Sequence, residues 1–197
     1  MRIAYKIIAC VLVIALFTAL AYNNYTETTS GSATAETCLI SKQSQEWIVD
    51  QFGDCETFEE LLKKMTTFSI ENFNYHFYDE KIQHFNFDEL RLNGFRGCCY
   101  DYAIFTKTTV NYWSILKNKD IKSYVVDVVY KDGKTRHSYN YFLVSEEDGK
   151  EKLYCVDLTL ASAHPDKINN YVYKVACCDD FLEHCEKCYH DKITFLH

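Results

Sequence analysis

Three residue types carry chemistry at suggestive spacing in this chain. Gly97-Cys98-Cys99-Tyr100-Asp101-Tyr102-Ala103 puts a thiol at the head of a run that reads as a helix. His137 opens His137-Ser138-Tyr139-Asn140, and Asp157 sits in Val156-Asp157-Leu158-Thr159, each on an expected strand. Cys, His and Asp are the parts of a thiol nucleophile, its base and the group that orients the base. Together they point to acyl transfer at an amide carbonyl. A helix N-terminus carries partial positive charge and unsatisfied N–H groups, which favour a thiolate and can hold an oxyanion. Asp101 is placed to cap the same helix, although a carboxylate so close raises the thiol pKa unless it turns away. Each residue also has a plainer reading: a structural cysteine pair, a surface histidine, a turn aspartate.

The rest of the sequence bounds where such a site works. With 197 residues there is room for one domain plus a leader and a tail. The net charge of −7 argues against a nucleic-acid partner, which requires a basic face. Arg2 and Lys6 precede an apolar run, Ile7 to Leu20, followed by Ala19-Leu20-Ala21 at a cleavage-like position. Residues 1–21 therefore read as a signal peptide or an N-terminal membrane anchor, with membrane contact through residues 7–21, and the protein as secreted or extracytoplasmic. Setting Cys10 aside with the leader leaves Cys38, Cys55, Cys98, Cys99, Cys155, Cys177, Cys178, Cys185 and Cys188. That odd count leaves one thiol over if the others bridge. Adjacent cysteines fit disulfide geometry poorly, so Cys98 and Cys99 are not expected to bridge each other.

The elements that must position the site follow from pattern. Residues 22–36 are polar and aperiodic and read as a linker. A helix is expected over about 42–52. A second starts at Thr57-Phe58-Glu59-Glu60, a capping box, with Phe58, Leu61, Leu62, Met65 and Phe68 at helical spacing. Residues 72–90 are aromatic and irregular and are expected to run over the surface near the cleft. Asn93-Gly94 marks a turn, and a helix is expected over 99–117. Strands follow at 121–130, 136–145 and 153–159, separated by Asp132-Gly133 and Asp148-Gly149 turns. Antiparallel order then brings His137 and Asp157 to one end of a hairpin. A further strand is expected from Tyr171 to Val175, and the tail ends as a Cys-rich helix or loop. The fold class is α+β, with the helix bearing the cysteine packed on an antiparallel sheet.

Taken together, three blocks resemble the transglutaminase-like superfamily, a branch of the papain-like thiol enzymes. Its nucleophile pattern, Gly-x-Cys-x-Asp-Tyr-Ala, is similar to Gly97, Cys99, Asp101, Tyr102 and Ala103. Its His-Ala-Trp-Asn block is similar to His137-Ser138-Tyr139-Asn140, with Ser-Tyr in place of Ala-Trp. Its aspartate block is similar to Tyr154-Cys155-Val156-Asp157-Leu158-Thr159. The resemblance implies a papain-like core over residues 37–165, with 166–197 as a Cys-rich C-terminal extension. It also implies Cys99 as nucleophile, His137 as base and Asp157 as its orienting partner. Cys98 then becomes a disulfide half. An upstream polar side chain is implied as an oxyanion donor beside the Cys99 N–H, with Asn93, Tyr75 and Tyr78 as the choices.

The expected activity is hydrolysis of a peptide or amide bond, on a protein or peptide substrate. The alternatives are protein-glutamine crosslinking, or a disulfide-braced binding domain without turnover. No cofactor is expected, and no EF-hand-like acidic loop is present. In the tail, Cys177, Cys178, His184, Cys185, Cys188 and His190 have zinc-like spacing, for which disulfides are the expected use in an oxidising compartment.

Overall fold

The computed structural model describes residues 40–76, 85–130, 135–146, 149–175 and 190–196; of 129–130, 173–175 and 190–196 only the backbone is described. These residues lie in one unit spanning Thr37–His197. The architecture is α+β. Helices α1 (Lys42–Phe52), α2 (Phe58–Asn72), α3 (Phe87–Leu92), α4 (Cys99–Leu116) and α5 (Leu158–Ala163) accompany strands β1 (Asn74–Tyr75), β2 (Arg96–Gly97), β3 (Ile121–Tyr130), β4 (Arg136–Ser145), β5 (Glu151–Val156), β6 (Val172–Val175) and β7 (His190–Leu196). The five-stranded sheet has the order β6-β5-β4-β3-β7, antiparallel throughout. Both of its edge strands come from the stretch read as a C-terminal extension.

Local chemistry sets the helix starts. The Thr57 hydroxyl accepts from the Glu60 N–H at 3.2 Å, and Glu60 Oε2 accepts from the Thr57 N–H at 3.1 Å, so both halves of the expected capping box form. The Ser41 hydroxyl caps α1 by accepting from the Ser44 N–H at 3.2 Å. The α2 residues expected to face inward do so: Phe58, Leu61, Leu62 and Met65 are buried.

The described parts of the 72–90 stretch, 72–76 and 85–90, depart from the expected surface path. Phe87 is buried at the start of α3 and stacks on Phe105 at 6.2 Å, while Phe73 lies 5.0 Å from Phe105 and 4.0 Å from Tyr102. Trp47, Phe52, Phe68 and Phe95 complete this cluster. Desolvating that much aromatic surface outweighs the irregular backbone of the segment. Asn86 heads α3 through a second capping box with Glu89.

Helix α4 crosses the sheet on the face that carries Phe142, Tyr154 and Val156. Its buried Trp113 donates from Nε1 to the Cys55 carbonyl at 3.1 Å. The opposite face buries a separate cluster of Val126, Val128, Tyr139, Tyr141 and Cys155.

The strand expected over 153–159 stops at Val156. Asp157 instead caps α5, its Oδ1 accepting from the Leu160 N–H at 3.0 Å. A carboxylate beside unsatisfied helix N–H groups is stabler there than in a sheet ladder. Cys55, Cys98, Cys99 and Cys155 are thiols, so the expected disulfide at Cys98 is not present. The remaining non-leader cysteines, the 1–36 leader and linker, and Tyr78 and His184 lie outside the described residues. Among the described residues no helix is long and apolar enough to cross a membrane, and no group of three His, Cys, Asp or Glu side chains is placed to hold a metal ion.

Candidate active site

Cys99 is the first residue of α4, and its position is built from the residues before it. β1 and β2 pair in parallel, Tyr75 against Gly97, and the His76 N–H donates to the Gly97 carbonyl at 2.8 Å. Gly97 has no substitute there. A Cβ on it would lie 2.5 Å from Asp101 Cβ and 2.7 Å from Asp101 Oδ2. The Asp101 side chain fills that space because it is wholly buried and bound at both oxygens. Oδ2 accepts from the Cys98 N–H at 2.8 Å, and Oδ1 from the Phe85 N–H at 3.0 Å. The carboxylate is thus turned to main-chain donors ahead of the helix, and the Gly-x-Cys-x-Asp spacing is a packing requirement.

His137 stands at the start of β4 and Asp157 just past the end of β5, at the same end of the antiparallel pair. The last β4–β5 rung joins Asn140 to Val156. Beyond that rung His137 Nε2 meets Asp157 Oδ2 at 2.6 Å, with both side chains more than nine-tenths buried. Asp157 is fixed from both sides, one oxygen on the imidazole and the other on its own helix. Cys99 and His137 lie close enough for each to shift the other's ionisation. The Tyr139 ring lies nearly parallel to the imidazole, with centroids 6.0 Å apart. Asn140 ties the strand to the helix, donating from Nδ2 to the Ala103 carbonyl at 3.1 Å in a buried contact. This hydrogen bond links the residue three after His137 to the residue four after Cys99.

Electrostatics separate the two thiols. The strongest influence on Cys99 is a hydrogen bond from the Cys98 thiol. The hydrogen bond and charge of His137, and the Ser138 main chain, add to it, and together they overcome burial and draw Cys99 down from 9.0 to about 4. Cys98 moves the other way, pushed up by the same hydrogen bond, by its burial and by the nearby charges of Asp101 and Cys99. Burial works against a charged His137, but the charge and hydrogen bond of Asp157, then those of Cys99, raise it to about 10. These influences favour the thiolate form of Cys99, the charged form of His137 and the protonated form of Cys98.

The structure joins His137 to Asp157 at 2.6 Å and places Cys99 where it and His137 shift each other's ionisation. Of the oxyanion choices, Asn93 spends its amide on the Arg96 carbonyl, at 3.4 Å in the turn after α3, whereas Tyr75 lies on β1 beside Gly97 and is half-exposed. Sequence reasoning missed Asn140 as a stitch between β4 and α4, although it stands three residues after His137, which was already singled out.

No protein-family model and no curated protein matches the chain. Among solved structures, a candidate cysteine protease from Cytophaga hutchinsonii is similar over 79% of this chain, at 14% identity and a TM-score of 0.42. The match covers 48% of that protein, so the chain spans about half its length.

Proposed function

We propose that the protein is a cysteine-dependent acyl-transfer enzyme with a transglutaminase-like, papain-like core, hydrolysing peptide or amide bonds. The observation that supports it most is the buried His137–Asp157 hydrogen bond, with Cys99 at the head of a helix close enough to His137 for each to shift the other's ionisation. The Cys99 thiolate attacks the amide carbonyl carbon, and a C–S bond forms as the carbonyl oxygen takes the negative charge. Unsatisfied N–H groups at the start of α4 are suited to receive that charge. As the tetrahedral species collapses, the amine leaves with the imidazolium proton of His137, and a thioester remains on Cys99. Acylation removes the thiolate charge that helped to hold His137 protonated, so its pKa falls and it becomes a base. It then takes a proton from water, which attacks the thioester and frees the thiol.

Transfer to a lysine amine would follow the same path with an amine in place of water. Amine incorporation that requires Cys99 would identify a crosslinking enzyme, and product release without incorporation a hydrolase. The apolar leader supports export, with the enzyme secreted or held at the outer side of a membrane and acting on a protein or peptide. The test of the enzyme reading is turnover on a peptide library by the wild type against Cys99→Ser. Equal product release from both would reject it and leave a binding domain of the same fold.

A further inference from the structure

We propose that Asp127 selects substrates with a basic side chain, lysine or arginine, directly after the bond that is cut, holding the cation beside the head of α4. The inference rests on the reading of Cys99 as nucleophile and His137 as proton donor.

Two hydrogen bonds fix how α4 runs over the sheet. Asn140 of β4 donates to the Ala103 carbonyl, and further along the helix Asn111 Oδ1 accepts from the Ser123 hydroxyl of β3. The register pairs Asn140 with Val125 and Phe142 with Ser123, so α4 advances in the same direction as β4. Going back one turn from Ala103, about 6 Å, reaches Cys99. Going back two residues from Asn140, about 7 Å, reaches Ser138. Its partner across the ladder is Asp127, and the next rung joins Val128 to His137. Side chains alternate across a strand, so Asp127, Ser138 and Asn140 share the face that α4 covers. Asp127 therefore lies beside the first turn of α4.

The surroundings of this carboxylate suit a cation. Asp127 is half-buried, and its Oδ1 accepts from the Ser138 hydroxyl, whose residue is only 6% exposed. Among the described residues Oδ2 takes no donor, and no Lys, Arg or His pairs with the carboxylate. An ionised carboxylate accepts up to about four hydrogen bonds, so one hydroxyl leaves most of its capacity unused. Arg136 shares the face one position nearer the start of β4, but it is exposed and makes no ion pair among the described residues. Tyr100, next after Cys99, is pushed up by its burial and then by the charges of Asp127 and Asp101, in keeping with a carboxylate at this end of α4. An ammonium or guanidinium group would complete the site through a charge-assisted hydrogen bond.

The side of the substrate follows from the path of the proton. His137 gives its proton to the departing amine, so the amine half of the substrate passes along the start of β4. The Ser138–Asp127 rung is the next one on that path. The side chain that Asp127 meets is therefore that of the residue supplying the amine.

The test offers the full chain a randomised peptide library and maps the cleavage points by mass. Wild type is expected to cut before Lys or Arg about tenfold faster in kcat/KM than before Leu or Gln, the scale of one charge-assisted hydrogen bond. Asp127→Asn keeps an acceptor for the Ser138 hydroxyl and should flatten that ratio. Asp127→Glu should retain most of it, and Asp127→Arg should turn it toward Glu and Asp. Each ratio is read within one variant, so differences in overall rate do not enter. A second measurement needs no turnover: the rates at which a cationic and an anionic methanethiosulfonate modify Cys99, followed by peptide mapping. The cation-to-anion ratio should fall roughly threefold in Asp127→Asn. Ratios unchanged between wild type and Asp127→Asn would overturn the inference while leaving Cys99 as the nucleophile. A Cys99 that neither reagent modifies, with no product from the library, would overturn the nucleophile reading and the inference with it.

Discussion

Cys98 and Cys99 share a peptide bond yet face different surroundings, and the difference comes from what each sulfur touches. Cys99 meets a cation and donors, whereas Cys98 meets a buried wall and two negative charges. Cys98→Ala is therefore expected to raise the pH at which Cys99 ionises, and Cys98→Ser to restore part of the shift. A titration of ultraviolet thiolate absorbance reads both. Activity should be level between an acid limb, where Cys99 takes up a proton as pH falls toward about 4, and an alkaline limb, where His137 loses one as pH rises toward about 10. His137→Ala should lower turnover by roughly 10²–10⁴-fold. Asp157→Asn keeps an acceptor for the Leu160 N–H but removes the charge that raises His137, so the alkaline limb should move down. Asp157→Ala also loses the helix cap, at about 1 kcal/mol, which a thermal melt would detect.

At the scale of elements, the site depends on how the head of α4 is held. Gly97 leaves room for Asp101, Asp101 holds Cys98, and Asn140 ties Ala103 to β4. Gly97→Ala should destabilise the fold by about 1–3 kcal/mol, seen as an earlier urea midpoint, because the new methyl meets a buried side chain that cannot yield. An unchanged midpoint would mean that Asp101 is not fixed as described. Much of this level was legible in the sequence. The α1, α2 and α4 limits follow from caps and apolar spacing, which are local effects. Asp157 was misplaced on a strand because the β-rich run Leu153 to Val156 leads straight into it, while its capping partner lies three residues further on. The Asn86-x-x-Glu89 box that starts α3 was equally local, yet the aromatic run before it masked it. The three candidate residues came from their motif blocks, and the pairing of His137 with Asp157 at one end of two antiparallel strands followed from the turn between them.

For the whole molecule, the decisive feature is a sheet whose two edges are laid down last. β7 pairs along β3 from Val125↔Leu196 to Tyr130↔His190 and so covers one edge, while β6 covers the other beside Asp157. Such long-range pairing leaves no local mark, which is why the C-terminal residues read as an extension. A chain ending at residue 189 should expose β3 as an open edge, melt earlier and self-associate as concentration rises, as followed by calorimetry and size-exclusion chromatography. The central claim is that this scaffold makes Cys99 an activated thiolate through His137. Its most direct test is the iodoacetamide rate on folded, non-reduced protein across pH, with peptide mapping, for wild type and His137→Ala. The account predicts one fast label, on Cys99, with a rate level through neutral pH in wild type. In His137→Ala the label should slow and its acid limb should shift upward. A Cys99 locked in a disulfide, or labelled no faster than Cys55 and indifferent to His137, would contradict it.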